Sequence, residues 1–146
     1  MIAQAMIAVR VAVLHCDATK EYGGFTRQMF RDLVSATSLG GVGSQHIELF
    51  DFEAQASQFP NWDEVEACII TGSVASAYSS DDWILRLVSE IKDLVARARQ
   101  GRIRLLGVCF GHQILAQALG GEVPRHPLAT SISPYPLPRL MSTEIP

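Results

Sequence analysis

The segment Leu105-Leu106-Gly107-Val108-Cys109-Phe110-Gly111-His112-Gln113-Ile114-Leu115 decides the fold of this chain. An apolar run from Ile103 to Val108, interrupted by Arg104, predicts a buried strand, and a segment with helical spacing from Gln113 to Leu119 follows at once. The cysteine between them has one glycine two residues before it and another two residues after it. This arrangement is typical of a strand-to-helix elbow, in which a strained turn aims a nucleophilic side chain outward at the end of a sheet.

The predicted elbow favours a reactive form of Cys109. It would place the sulfur at the N-terminus of a helix, where the helix dipole and the free amides stabilise a thiolate. The flanking glycines would let the strand and the helix approach each other closely. The other two cysteines, Cys16 and Cys68, lie in or beside apolar strands and are expected to be buried and inert.

Three further strands and two further helices are predicted before the elbow. Val9–His15, His46–Phe52 and Ala67–Thr71 have strand composition, and the second alternates enough to be an edge strand. Helical spacing predicts helices over 25–36 and 82–99. Strands that alternate with helices predict an α/β fold with a parallel sheet and helices on both faces, with ligands bound at the carboxyl ends of the strands.

Each of the two longer predicted helices has an apolar face that we expect to turn toward the sheet. The faces consist of Phe25, Met29, Phe30, Leu33 and Val34 in the first helix, and of Ile84, Leu87, Val88, Ile91, Leu94, Val95 and Ala98 in the second.

Composition narrows the class of protein. A chain of 146 residues with 48% hydrophobic residues predicts one domain, which we place at residues 9–125. Six of the seven prolines lie from Pro124 onward, so residues 126–146 are predicted to be a disordered, Pro-rich tail. A net charge of -3 argues against a nucleic-acid partner, and no apolar run is long enough for a membrane span. Three irregularly spaced cysteines favour a reducing, cytoplasmic location.

The segment Gly107-Val108-Cys109-Phe110-Gly111-His112-Gln113 resembles the nucleophile motif of class I glutamine amidotransferases. Upstream, Ile70-Thr71-Gly72-Ser73 followed by Ser76-Ala77-Tyr78 and Asp82-Trp83-Ile84 resembles the stand-alone, GMP-synthase-like branch. The resemblance covers about Arg10 to Arg125 and implies a flavodoxin-like fold that is incomplete in this chain.

The resemblance implies roles for five residues. Cys109 would attack the side-chain amide carbon of glutamine and form a thioester. The backbone amides of Gly72 and Phe110 would form the oxyanion hole, and Gln113 would bind the substrate, with Ser73 as a weaker candidate. No metal or organic cofactor is implied. The ammonia would pass to a separate accepting protein, or the substrate would be another gamma-glutamyl compound.

The chain departs from the family pattern at the triad histidine and glutamate. After Cys109 the sequence has one further histidine beyond the elbow, His126, and Pro127-Leu128 follows it where the family has Pro-Glu. We therefore interpret the chain as C-terminally truncated, with impaired amide hydrolysis and with apolar surface exposed on its sheet.

Three other histidines have structural interpretations. His46 and Glu48 have the His-x-Glu spacing, but they lie at the start of a predicted edge strand, the wrong end of the sheet. His15 ends the first strand near Asp17, and His112 is expected to hydrogen-bond and pack along the elbow helix.

Two alternatives to a glutamine amidotransferase stay open. The chain could be a non-catalytic fragment of this fold that binds glutamine or a partner protein. It could also be a cysteine hydrolase of the gamma-glutamyl hydrolase type.

Overall fold

A computed structural model describes residues 7–18, 23–38 and 45–122 of the chain. The described elements are strands and helices in alternation, joined by short loops and two single-turn 3-10 helices at Ala54–Ala56 and Trp62–Glu64. In chain order they are β1 (Ile7–His15), α1 (Gly23–Ser38), β2 (Gln45–Glu53), β3 (Ala67–Ile70), α2 (Asp82–Arg99), β4 (Arg104–Gly107) and α3 (Phe110–Ala118). The predicted tail at 126–146, with His126, lies outside the described residues.

The four described strands form one parallel sheet in the order β2-β1-β3-β4. Leu14 of β1 is in register with Ile70 of β3, and Ile70 is in register with Gly107 of β4. The carboxyl ends of these three strands therefore meet at one edge, where the sequence predicts the site. The predicted α/β fold with a parallel sheet is confirmed, and in the described sheet β2 is an edge strand as predicted.

The main core lies between one face of the sheet and the helices α2 and α3. The predicted apolar face of α2 is confirmed, because five of its seven residues are buried and Val88 and Ala98 pack partly buried against the core. Both strands and helices contribute residues to this core. They include Ala12, Leu14, Cys68, Ile70, Ile84, Leu87, Ile91, Leu94, Phe110 and Ile114.

Helix α1 lies on the opposite face and differs from the prediction. Of its predicted apolar face only Phe30 is buried, whereas Phe25 is 71% and Leu33 is 55% exposed. The physical reason is its position: α1 packs against the edge strand β2, so only a narrow strip of the helix meets the sheet. In β4, the edge strand on the other side of the described sheet, Leu106 is 54% exposed. Apolar surface is therefore present on the described sheet.

The start of α3 also differs from the prediction. The helix begins at Phe110, three residues before the predicted start at Gln113. The turn between β4 and α3 is therefore only two residues long, Val108 and Cys109. No helix among the described residues combines the length and the hydropathy that crossing a bilayer requires.

Candidate active site

Cys109 lies in the turn between β4 and α3 with φ 53 and ψ -109. Positive φ is unfavourable for a residue with a Cβ atom, so the backbone is strained at this position. The cysteine is exposed, at the edge where the strands β1, β3 and β4 end. The strand, strained turn and helix that the sequence predicts are all present.

Two glycines make this tight turn possible. A Cβ atom on Gly111 would lie 2.2 Å from the carbonyl oxygen of Ile70, and a Cβ atom on Gly107 would lie 2.6 Å from the backbone carbonyl of Gly111. In addition, the amide of Val108 donates a hydrogen bond of 2.9 Å to the carbonyl of Ile70. The elbow is thus pressed against β3 at a distance that only glycine allows.

Gly72 lies beside the cysteine. A Cβ atom on Gly72 would be 3.6 Å from the Cβ atom of Cys109, which is ordinary van der Waals contact. Thr71 holds this strand end in place. Its amide donates to the carbonyl of Leu14 at 3.1 Å, and its hydroxyl accepts from the amide of Cys16 at 3.0 Å and donates to the carbonyl of Gly72 at 3.2 Å. The sequence interpretation missed this role of Thr71, because a threonine at a strand end has many uses.

The amides of Gly72 and Phe110 come from the two strand ends that flank the cysteine. Within residues 7–18, 23–38 and 45–122, neither amide donates a hydrogen bond to a protein acceptor. For Phe110 this follows from its place as the first residue of α3, whose amide has no partner inside the helix. The Phe110 side chain is buried, with its ring 5.7 Å from the ring of Trp83, so this residue can serve the site only through its backbone.

The two predicted substrate-binding side chains differ in their surroundings. Gln113 is half-buried in the first turn of α3, and its backbone N–H donates to the carbonyl of Cys109 at 3.1 Å. The hydroxyl of Ser73 accepts from the amide of Ala75 at 3.1 Å. That contact gives Ser73 a local role in shaping the loop after β3.

A cavity of about 260 Å³ opens next to Gly72 and Val108, the neighbours of the cysteine. Its lining is mostly apolar. The lining residues are Asp17, Thr26, Met29, Phe30, Gly72, Val74 and Val108. Sequence reasoning did not find this cavity, because its wall combines residues from β1, α1, β3 and β4 or the loops that follow these strands.

The other cysteines are buried, as predicted. Burial raises the pKa of the Cys16 thiol to about 12, and it raises the pKa of the Cys68 thiol even further. All three cysteines are free thiols, and Cys109 alone among them is exposed. The described residues contain no group of three or more His, Cys, Asp or Glu side chains that could hold a metal ion.

His15 has a structural place in the fold. It is 1% exposed, and its Nε2 atom lies 2.8 Å from Oδ1 of Asp51 on β2. Asp51 also accepts a hydrogen bond from Arg31 of α1. Burial alone would raise the pKa of Asp51, but the hydrogen bonds from His15 and Arg31 outweigh it, and the pKa is lowered.

The remaining described histidines are not paired with a carboxylate near Cys109. His46 is exposed at the start of β2, so His46 and Glu48 lie at the opposite end of the sheet from Cys109, as predicted. His112 is exposed on α3 rather than packed. In the described part of the chain no histidine is hydrogen-bonded to Cys109.

Comparisons with known proteins agree with this geometry. The family model of class I glutamine amidotransferases matches residues 22–133. A glutamine amidotransferase-like protein of Schizosaccharomyces pombe is 42% identical over 79 residues, which are 54% of this chain and 30% of that protein. Gamma-glutamyl peptidase 4 of Arabidopsis thaliana is 33% identical over 108 residues, covering 74% of this chain and 39% of that protein.

The fold has a counterpart among solved structures. A glutamine amido transferase from Methylobacillus flagellatus superposes with a TM-score of 0.51 at 22% identity, over 84% of this chain and 43% of that one. The likeness concerns the flavodoxin-like fold alone. This chain spans less than half the length of each of these three proteins. With a family model that covers most of its residues, the chain belongs to the class I glutamine amidotransferases.

Proposed function

We propose that this chain attacks the side-chain amide of glutamine, or of another gamma-glutamyl compound, with Cys109. The observation that carries the proposal is the elbow, which holds an exposed cysteine at φ 53 between two strand ends of a parallel sheet. A strained, exposed nucleophile at the carboxyl edge of an α/β sheet is the arrangement that acyl transfer requires. The buried thiols of Cys16 and Cys68 offer no competing nucleophile.

The backbone amides of Gly72 and Phe110 are the proposed oxyanion hole. Both lie beside Cys109, and neither donates to a protein acceptor within the described ranges. Donors that are already in place stabilise the negative oxygen of a tetrahedral intermediate without reorganisation. One such donor typically lowers the barrier by about 3 kcal/mol.

The proposed reaction has two steps. In the first, the sulfur bonds to the amide carbon, the carbon–nitrogen bond breaks, and the nitrogen leaves as ammonia with the proton of the thiol. In the second, water cleaves the thioester and gives glutamate and the free thiol. Gln113 and, more weakly, Ser73 would hold the substrate. No cofactor takes part in these steps.

Both steps are proposed to be slow, because the described part of the chain places no base beside Cys109 and no proton donor for the leaving ammonia. His15 is bound to Asp51, and His46 lies at the far end of the sheet. His112 is exposed, and no carboxylate orients its ring within the described ranges. Without a positioned base, water attack on the thioester loses several powers of ten in rate, because triad members act as a unit. Ammonia would be taken up by a separate accepting protein in the cytoplasm, where free thiols such as these persist.

A second candidate is the hydrolysis of gamma-glutamyl peptides. It is favoured by the 33% identity to a gamma-glutamyl peptidase over 74% of this chain. The first half-reaction is the same except that the leaving group is an amino acid. Supplying glutamine and a gamma-glutamyl dipeptide in parallel, and measuring ammonia and released amino acid, distinguishes the two candidates.

Covalent labelling tests the proposed nucleophile. A glutamine analogue with a diazoketone in place of the amide should modify Cys109 and leave Cys16 and Cys68 untouched, as read by peptide mass mapping. Gly72→Ala is the matched variant. Its new methyl group would lie 3.6 Å from the Cβ atom of Cys109, which is an ordinary contact, so the variant should fold normally. The methyl group should crowd the approach of the substrate carbonyl to the sulfur. We expect labelling to slow by about a hundredfold or more. Equal rates in the two proteins would show that Gly72 does not adjoin the reacting carbonyl and would remove it from the oxyanion hole. Analogue adducts spread over all three cysteines would reject Cys109 as the nucleophile.

A further inference from the structure

Helix α1 contacts the sheet through a narrow apolar strip and through charged side chains. Of its large apolar side chains only Phe30 is buried, while Phe25, Met29 and Leu33 are exposed. A helix that buries so little apolar surface gains little from the hydrophobic effect. Its polar contacts with the edge strand β2 therefore add to what holds it in place.

Those contacts are two ion pairs arranged in register. Arg27 pairs with Glu53, and Arg31 pairs with Asp51. The two arginines are four residues apart and so lie one above the other on the helix, and the two acids are two residues apart and so lie on one face of β2. His15 also helps to hold Asp51 in place, because Nε2 of its buried ring lies 2.8 Å from Oδ1 of Asp51.

The same helix forms one wall of the cavity beside the cysteine. Thr26, Met29 and Phe30 of α1 face Gly72 and Val108 across it. Arg27 and Arg31, which pair with the strand, each directly follow a residue of the helix that lines the cavity. Any shift of the ion pairs therefore shifts the cavity wall.

We infer that Arg27, Arg31, Asp51, Glu53 and His15 are positioning residues that set the width of the substrate cavity by holding α1 against β2. They do not touch the reacting atoms. Since the cavity adjoins Gly72 and Val108, the inference rests on the proposed reaction at Cys109. It predicts that these residues affect how a substrate-shaped reagent fits, and leave the intrinsic reactivity of the thiol unchanged.

The test compares two reagents on the full chain. Iodoacetamide reports the exposure and reactivity of Cys109, and the diazoketone analogue of glutamine also reports the fit of the cavity. The measured quantity is the rate at which the diazoketone labels Cys109 divided by the rate at which iodoacetamide labels it. Arg27→Glu and Glu53→Arg should each lower this ratio by about tenfold, because small displacements in a binding site have large effects on rate. The double variant should return the ratio to within about twofold of the wild type, because the pair is restored with its charges exchanged.

Arg86→Glu is the control, since it makes the same charge change at an exposed arginine of α2 that has no ion pair with a described residue. It should leave the ratio unchanged. If the Arg27→Glu chain does not fold, Arg27→Gln, which removes the charge and keeps a polar side chain, should lower the ratio by about threefold.

The outcomes separate the two proposals. A wild-type chain with a high ratio that stays high in both single variants would overturn the positioning role and leave the proposed reaction standing. A wild-type chain whose Cys109 shows no preference for the glutamine analogue would overturn the proposed reaction, and the positioning role with it. A lowered ratio in each single variant, with recovery in the double variant, is the result that we expect.

Discussion

At Cys109 the backbone adopts a conformation that glycine would adopt with less strain. The strain is tolerated because the elbow is fixed on both sides, by the hydrogen bond from Val108 to Ile70 and by the contact of Gly111 with β3. Strain at a functional residue lowers stability in exchange for a directed side chain. Stability and chemistry should therefore respond in opposite directions to a change at this residue.

Replacing Cys109 by glycine should relieve this strain. We expect Cys109→Gly to be more stable than Cys109→Ala by about 1 kcal/mol, the usual size of such backbone strain, although glycine ordinarily lowers stability. Urea unfolding of the two variants measures the difference. Equal stability, or greater stability of the alanine variant, would show that the position is not strained.

Gly111 should not tolerate a side chain at all. Alanine there would place a methyl group 2.2 Å from the carbonyl oxygen of Ile70, so β3 and α3 would have to separate. We expect a loss of about 3 kcal/mol or more in the free energy of unfolding. Gly24→Ala in α1 is the matched control, because its new methyl group meets nothing within 4 Å. A mild effect of Gly111→Ala in thermal melts would contradict the close approach.

At the scale of elements, α1 and α2 show what a periodic sequence can and cannot predict. The predicted bounds of α2, 82–99, agree with the structure, because an apolar stripe, acidic residues at its start and arginines at its end all point to the same segment. The stripe of α1 predicts a helix correctly but not its burial. Which surface a helix meets depends on the strand it packs against, and local spacing does not contain that information.

Two leucines test this difference between the helices. Leu87 of α2 is 0% exposed and Leu33 of α1 is 55% exposed. Truncation of a buried leucine leaves a cavity, so Leu87→Ala should lower the free energy of unfolding by about 3 kcal/mol. Leu33→Ala should change it by less than about 0.5 kcal/mol. Chemical unfolding of both variants measures the two changes in the free energy of unfolding. Comparable decreases would mean that α1 is buried as deeply as α2.

At the scale of the whole molecule, the site is assembled from separate segments. The motif around Cys109 and the strand end at Gly72 could be found from the sequence, because each has a local signature. The cavity and the link from His15 through Asp51 to Arg31 could not, because they join β1, β2 and α1 across 36 and 20 residues of chain. Sequence reasoning brought His15 together with Asp17, whereas its partner in the fold is Asp51.

This link makes stability depend on pH in acid. Because the folded pKa of Asp51 is lowered, its contribution is complete above the pKa of an unfolded aspartate, about 4, and is lost as the pH falls through the folded value. Asp51→Asn should therefore be less stable than the wild type by about 1 kcal/mol at pH 7, and the difference should shrink at pH 3. Urea unfolding at both pH values gives the two differences. If they are equal, the charge of Asp51 does not matter to the fold.

The proposed reaction at Cys109 is tested most directly by observing the acyl-enzyme. The chain is mixed with glutamine or a gamma-glutamyl dipeptide, quenched in acid and weighed intact by mass spectrometry. The acid quench slows the hydrolysis of a thioester and so preserves the acyl-enzyme that has formed. We expect a mass increase of one gamma-glutamyl group, located on Cys109 and absent from Cys109→Ser. An unchanged mass with both substrates, in a chain whose Cys109 reacts with iodoacetamide, would contradict the proposed reaction.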